Sequence, residues 1–157
     1  MNNMRQAGVG ESYARNTRFR QLRVLVVDDD PQMLEVVGAM LGSFGYHTML
    51  VSKPAEGLGL ALHRSFDCVL LDVQMPGGGG AALARAINLG MPELPIVMMS
   101  GLTASEVLER IGGVKVTAIL GKPFRLRDLH QAITEAVQWA TPSNLPQANA
   151  RKFGALD

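Results

Sequence analysis

A single cysteine, Cys68, excludes an internal disulfide framework and fits a reducing compartment. Its place inside an apolar strand candidate marks it as a small buried hydrophobe rather than a reactive thiol. Neither sign of charge prevails. Fifteen lysines and arginines stand against 14 acidic residues, which gives no reason to expect nucleic acid or an anionic membrane as a partner. No apolar run approaches the ~18 residues of a membrane span, and the polar N-terminus lacks the apolar core of a signal peptide. A soluble, cytoplasmic protein is expected. His47, His63 and His130 are scattered without metal-ligand spacing and read as surface or packing residues. No internal repeat is visible.

What is present is 47% hydrophobic residues in a chain of 157, enough for one domain with a real core. Residues 1–21 show no sustained apolar period and are expected to form a flexible arm. Residues 1–23 hold Arg5, Arg15, Arg18, Arg20 and Arg23 against Glu11, a net of +4, which reads as a solvated tail. Residues 141–157, opening with Thr141-Pro142-Ser143, read as a polar tail. Between them, short apolar runs at 22–28, 47–51, 67–71, 95–99 and 116–120 predict five strands. Continuous apolarity marks strands buried on both faces of a parallel sheet. The second run contains His47 and Thr48, which suits an edge.

Helices fill the gaps. Leu34, Val37, Leu41 and Phe44 recur at helical spacing after Pro31, and Gly45 can end that helix. Pro54 opens a second helix, and a third spans about Gly80 to Leu89. Thr103-Ala104-Ser105-Glu106 is a capping box for the fourth. Leu126, Leu129, Ile133 and Val137 line the fifth. Five β-α units with short connections dictate right-handed crossovers and a doubly wound α/β sheet, flavodoxin-like (βα)5. Five strands favour the order 2-1-3-4-5, whose switch point lies between strands 1 and 3.

The charged residues gather at that rim. Val24-Leu25-Val26-Val27 leads into Asp28-Asp29-Asp30, Val69-Leu70-Leu71 into Asp72, and Ala118-Ile119-Leu120 toward Lys122-Pro123. Carboxylates ~5 Å apart repel by on the order of 3 kcal/mol at an effective dielectric of ~20, so such a cluster needs a cation or raised pKa values. Hard oxygen ligands suit Mg²⁺, with Asp28 or Asp29, Asp72 and the backbone carbonyl of Gln74 as candidates. A carboxylate beside that ion can attack phosphorus. Lys122 offers a point charge and Ser100, closing Ile96-Val97-Met98-Met99, a hydroxyl. Asp30 is expected to face solvent or cap the first helix.

Together these residues resemble the receiver domains of two-component response regulators, over about 22–140. The resemblance is carried by Val-Val-Asp-Asp-Asp at 26–30, Leu-Leu-Asp-Val-Gln-Met-Pro at 70–76 with Gly80, Met-Met-Ser-Gly at 98–101 and Gly-Lys-Pro-Phe at 121–124. It implies that Asp72 accepts a phosphoryl group from a sensor histidine kinase or a histidine phosphotransfer protein. It further implies that Asp28 and Asp29 serve Mg²⁺, that Ser100 senses the phosphoryl oxygen, that Lys122 pairs with the phosphate, and that the bond before Pro123 is cis. The chain is then not an enzyme beyond self-phosphorylation and self-dephosphorylation. The surface of the fourth helix, fifth strand and fifth helix would meet a downstream protein target or a second copy.

Two departures stand out. Ile119 occupies the place where the family usually carries a switching aromatic, and an aliphatic side chain cannot make the same swing. Gly77-Gly78-Gly79-Gly80 exceeds the usual one or two glycines, and a mobile loop is expected there. The 17 residues after 140 are too few for an output domain, so action through protein contacts or as a relay carrier is expected, unless the chain is cut from a longer regulator. Two other readings remain open. An aspartyl-phosphate phosphohydrolase would use Asp28 and Asp30 in an Asp-x-Asp pattern, with Gln32 where Thr or Val is usual. A docking module independent of phosphorylation has Ile119 in its favour.

Overall fold

The computed structural model describes residues 21–140 and the backbone of 151–153. The expected basic arm and most of the expected polar tail lie outside the described residues. The elements alternate: β1 (Arg23–Val27), α1 (Pro31–Ser43), β2 (His47–Val51), α2 (Pro54–His63), β3 (Cys68–Asp72), α3 (Gly79–Gly90), β4 (Ile96–Ser100), α4 (Ala104–Ile111), β5 (Ala118–Gly121) and α5 (Leu126–Trp139). All five strands pair in parallel in the order 2-1-3-4-5, as their continuous apolarity and short connections predict. The mixed β2 is an edge strand, and two of its residues are exposed.

A sixth strand, β6 (Arg151–Phe153), extends the sheet beyond that expectation by pairing in parallel with β5, Ala118 opposite Arg151 and Leu120 opposite Phe153. Arg151-Lys152-Phe153 has neither an apolar run nor alternation long enough to signal a strand, so its pairing is a tertiary event. Charged residues are common in strands that close a sheet edge.

The pleat sorts the core into two layers. Leu25, Val27, Val69, Leu71, Ile96, Met98 and Ile119 face α2, α3 and α4. Val24, Val26, Cys68, Leu70, Val97, Met99 and Leu120 face α1 and α5. Burying each such side chain contributes roughly 1.5–3 kcal/mol relative to exposure. Cys68 is fully buried, and desolvation pushes its thiol pKa up, as a structural rather than reactive role requires.

Local chemistry sets the ends of the helices. Asp30 caps α1 by accepting from the Gln32 N–H at 2.9 Å. The Thr103–Glu106 capping box opens α4, with Thr103 N–H donating to Glu106 Oε2 at 2.7 Å and Glu106 N–H to Thr103 Oγ1 at 3.3 Å. On the α1–α5 side, the Tyr46 hydroxyl and His130 Nδ1 share a hydrogen bond at 2.7 Å, and Phe44 stacks on the His130 ring at 4.2 Å. His130 therefore packs the turn after α1 against α5.

The glycine run does not form one loop. Gly77 and Gly78 adopt positive φ of 67° and 71° in a short turn, whereas Gly79 and Gly80 already belong to α3. A Cβ at Gly80 would collide with the Asp72 carbonyl oxygen and lie 2.9 Å from the Val73 backbone, whereas one at Gly77 would meet open space. The close approach of α3 to the end of β3 depends on that missing Cβ. Gly80→Ala should cost about 3 kcal/mol or more, whereas Gly77→Ala should cost only the left-handed backbone penalty of about 1–2 kcal/mol. Urea denaturation of both variants checks this, and equal losses would contradict it.

Candidate functional site

β1 and β3 run side by side with Val27 opposite Leu71. The residues that follow, Asp28 and Asp72, therefore emerge together at the carboxyl rim of the sheet, at the switch point between strands 1 and 3. Both are almost fully buried, at 1% and 4% exposure, while the neighbouring Asp29 is exposed. Asp28, Asp29 and Asp72 each present a carboxylate oxygen such that these atoms lie within 4.8 Å of one another.

Lys122 enters from the other side. Its backbone N–H donates to the Ser100 carbonyl at 2.7 Å, and the Lys122–Pro123 peptide is cis. The Lys122 ammonium donates to Asp28 Oδ2 and to Asp72 Oδ1, both at 3.1 Å. Asp28 spends its other oxygen, Oδ1, on the Asp30 N–H at 2.9 Å. Burial raises the Asp28 pKa above its ordinary value, aided by the Asp72 charge and opposed by the Asp30 N–H and Lys122. Burial pulls the Lys122 pKa down, but Asp72 and Asp28 outweigh it, and the net direction is upward.

Ser100 ends β4 fully buried, and its Oγ accepts from the Leu102 N–H at 3.0 Å. The Gln74 side chain crosses to the loop after β4, where its Oε1 accepts from the Gly101 N–H at 3.2 Å. Sequence reasoning reaches Gln74 through its backbone carbonyl and, with Leu102, through the resemblance, as a residue that flanks the site where the family tunes hydrolysis of the acyl phosphate. The side-chain contact joins residues 27 apart on two separate loops, and no local pattern announces it. Asp30 stands outside the cluster as a helix cap. Ile119 is 3% exposed and packed with the aliphatic residues under α4.

Residues 24–134 match the sequence profile of the response regulator receiver domain. The chain belongs to that family. The response regulator MprA of Mycobacterium sp. strain KMS is 31% identical over 134 residues, which cover 84% of this chain and 57% of that protein. The transcriptional regulatory protein ZraR of Salmonella typhimurium is 29% identical over 140 residues, 87% of this chain and 31% of that protein. The chain thus spans only about a third to about three fifths of these relatives. Among solved structures, a CheY-like receiver domain protein from Methanospirillum hungatei JF-1 superposes with a TM-score of 0.72 at 25% identity, covering 79% of this chain and 99% of that one. The chain is thus a receiver domain, the phosphoacceptor module of two-component signalling. Among the described residues, no helix is long and apolar enough to cross a membrane.

The donor set of this receiver fits a divalent cation. Three carboxylates against one ammonium leave two negative charges, and all the carboxylate donors are hard oxygens of the kind that bind such ions. The raised Asp28 pKa has a consequence for stability. A carboxyl raised on folding favours the folded state below its unfolded pKa, and that contribution is lost as pH rises through the folded value. With a chelator present, Asp28→Asn should therefore melt higher than the parent by a few degrees. The gap should open as pH rises from about 4 to about 7, and saturating divalent cation should close it. Circular dichroism melts across pH with and without the cation check this, and a variant that melts lower throughout would contradict it.

Proposed function

We propose that Asp72 is the phosphoacceptor of this receiver domain, and that Asp28, Asp29, Asp72 and the Gln74 backbone carbonyl hold Mg²⁺. The observation that carries the reading is the convergence of three carboxylate oxygens within 4.8 Å, with Lys122 bonded to two of the three groups. When bound, the cation would neutralise the carboxylates and the charge on the transferring group. The rest of the chemistry belongs to the chain. Asp72 commits Oδ1 to Lys122, whereas Asp28 has both oxygens engaged. Asp72 is therefore the better nucleophile. A carboxylate oxygen of Asp72 forms a bond to phosphorus as the bond to the donor nitrogen breaks, and the electron pair leaves with the histidine of a sensor kinase or phosphotransfer protein. Lys122 then shifts from carboxylate toward phosphoryl oxygen, and the Ser100 hydroxyl, which accepts from Leu102 N–H, keeps its own proton to donate.

The same arrangement weighs against the phosphohydrolase reading, in which Asp28 would attack. Beyond taking phosphate from donors and losing it to water, we assign no catalysis. A cytoplasmic setting suits the reduced, buried Cys68. The output surface we assign is the edge formed by α4, β5 and α5, toward a downstream protein or a second copy. β6 lies along β5, so any partner at that edge also meets residues 151–153.

Incubation with a small phosphoramidate and magnesium, followed by peptide mass spectrometry, tests the assignment. One phosphate is expected on Asp72, absent from Asp72→Asn and absent in chelator. Lys122→Ala should slow labelling by about a hundredfold, the scale for losing one positioned cation or donor. Label on Asp28 would favour the phosphohydrolase instead. Partner binding indifferent to phosphodonor and to Asp72→Ala would favour a docking module.

A further inference from the structure

The loop that follows β4 has both of its first amides occupied by side chains. Gly101 N–H donates to Gln74 Oε1 at 3.2 Å, and Leu102 N–H donates to Ser100 Oγ at 3.0 Å. Gln74 lies two residues beyond Asp72, and Gly101 directly follows Ser100. The two loops that border the acidic cluster are thus strapped together at its mouth by one exposed side-chain amide. Below the strap the frame is fixed, because Val73 N–H donates to Met99 O at 2.9 Å and Lys122 N–H to Ser100 O at 2.7 Å. The ends of β3 and β4 are thereby tied to each other, and the segment after Ser100 begins beyond those ties.

A phosphoryl group on Asp72 brings three anionic oxygens that need donors. With Lys122 on one side and the Ser100 hydroxyl proton on the β4 side, the third oxygen calls on a loop amide that is already committed. Gly101 is suited to reorienting its amide, because it carries no side chain and is exposed. What holds that amide away is Gln74.

We propose that the Gln74 side chain is a latch that sets the resting position of the loop after β4. In this reading, phosphorylation must trade the Gly101 N–H···Gln74 Oε1 bond for one to phosphoryl oxygen. The inference rests on Asp72 being the phosphoacceptor. Gln74 is a positioning residue here, acting through Gly101 rather than on the reacting atoms. Because the latch exists only in the resting state, its loss enlarges the fraction of molecules ready to bind a phosphoryl group, and the apparent affinity rises by that fraction.

The test compares the parent with Gln74→Met, which keeps length and the backbone carbonyl but offers Gly101 no amide oxygen. Without phosphodonor, NMR should show faster hydrogen exchange and a shifted amide resonance at Gly101 in the variant, with the Met99 amide unchanged. In magnesium, beryllium trifluoride, a phosphoryl mimic, should bind the variant about fivefold more tightly, the equivalent of one ordinary net hydrogen bond. An unaltered Gly101 amide, or an unaltered or weaker affinity for the mimic, overturns the latch while leaving the phosphoacceptor assignment intact if the parent binds the mimic and Asp72→Asn does not. A parent that binds no mimic in magnesium overturns both.

Discussion

One ammonium shared between two buried carboxylates organises this rim. Lys122 lies 3.1 Å from Asp28 and from Asp72, both nearly inaccessible to water. Unpaired, two such charges would exact several kcal/mol each in desolvation. Paired, they still exceed the lysine by one charge, and Asp29 adds another at the surface. Burial drives the upward shift of the Asp28 carboxyl, and the Asp72 charge adds to it. The site is thus held together and held under repulsion by the same three side chains. Such a site gains from any incoming cation, and a phosphoryl group on one carboxylate would raise that demand, because it replaces one negative charge with a larger one.

The sheet makes that confrontation possible. Parallel strands buried on both faces send every carboxyl end to one side, so residues 28, 72, 100 and 122 meet there although 94 residues separate the first from the last. Much of this was legible in the sequence, because continuous apolar runs specify buried parallel strands and each run stops at a polar or charged residue. Gly45, Asp30 and the Thr103–Glu106 box were legible for a similar reason: each acts on its own helix end within a few residues. Strand boundaries differ from those expected by one or two residues, β5 opening at Ala118 rather than at 116. β3 opens at Cys68, and at its threshold the Asp67 carboxylate accepts from the Arg23 N–H at 2.8 Å.

What was not legible is non-local and weakly patterned. β6 is three residues, two of them basic, and depends on β5 for its hydrogen bonds. The bond from Gln74 to Gly101 and that between Tyr46 and His130 join distant positions of ordinary polar type. The glycine run was legible as unusual but not in its division of labour. Two glycines turn the chain through left-handed geometry, one yields its Cβ so that α3 can touch the end of β3, and Gly79 would meet Pro54 at 3.1 Å. Only the structure distinguishes a glycine required by torsion from one required by proximity.

Ile119 bears on where a signal can travel. It is packed under α4 among Met98, Val107, Ile111 and Val116. Swinging it outward would expose an aliphatic side chain and leave a void, a cost of about 2–5 kcal/mol. Exchanging the acceptor of one loop amide costs little, because a hydrogen bond is lost and another is made. A phosphoryl group can supply differential binding energy only through the contacts it makes, and population shifts obey that limit. Under the proposed assignment of Asp72, the low-cost coordinate to the surface runs through Gly101, Leu102 and the Thr103 cap into α4, whose first turn is held by the Glu106 carboxylate. On that assignment, phosphorylation would reposition that turn and leave the core around Ile119 undisturbed.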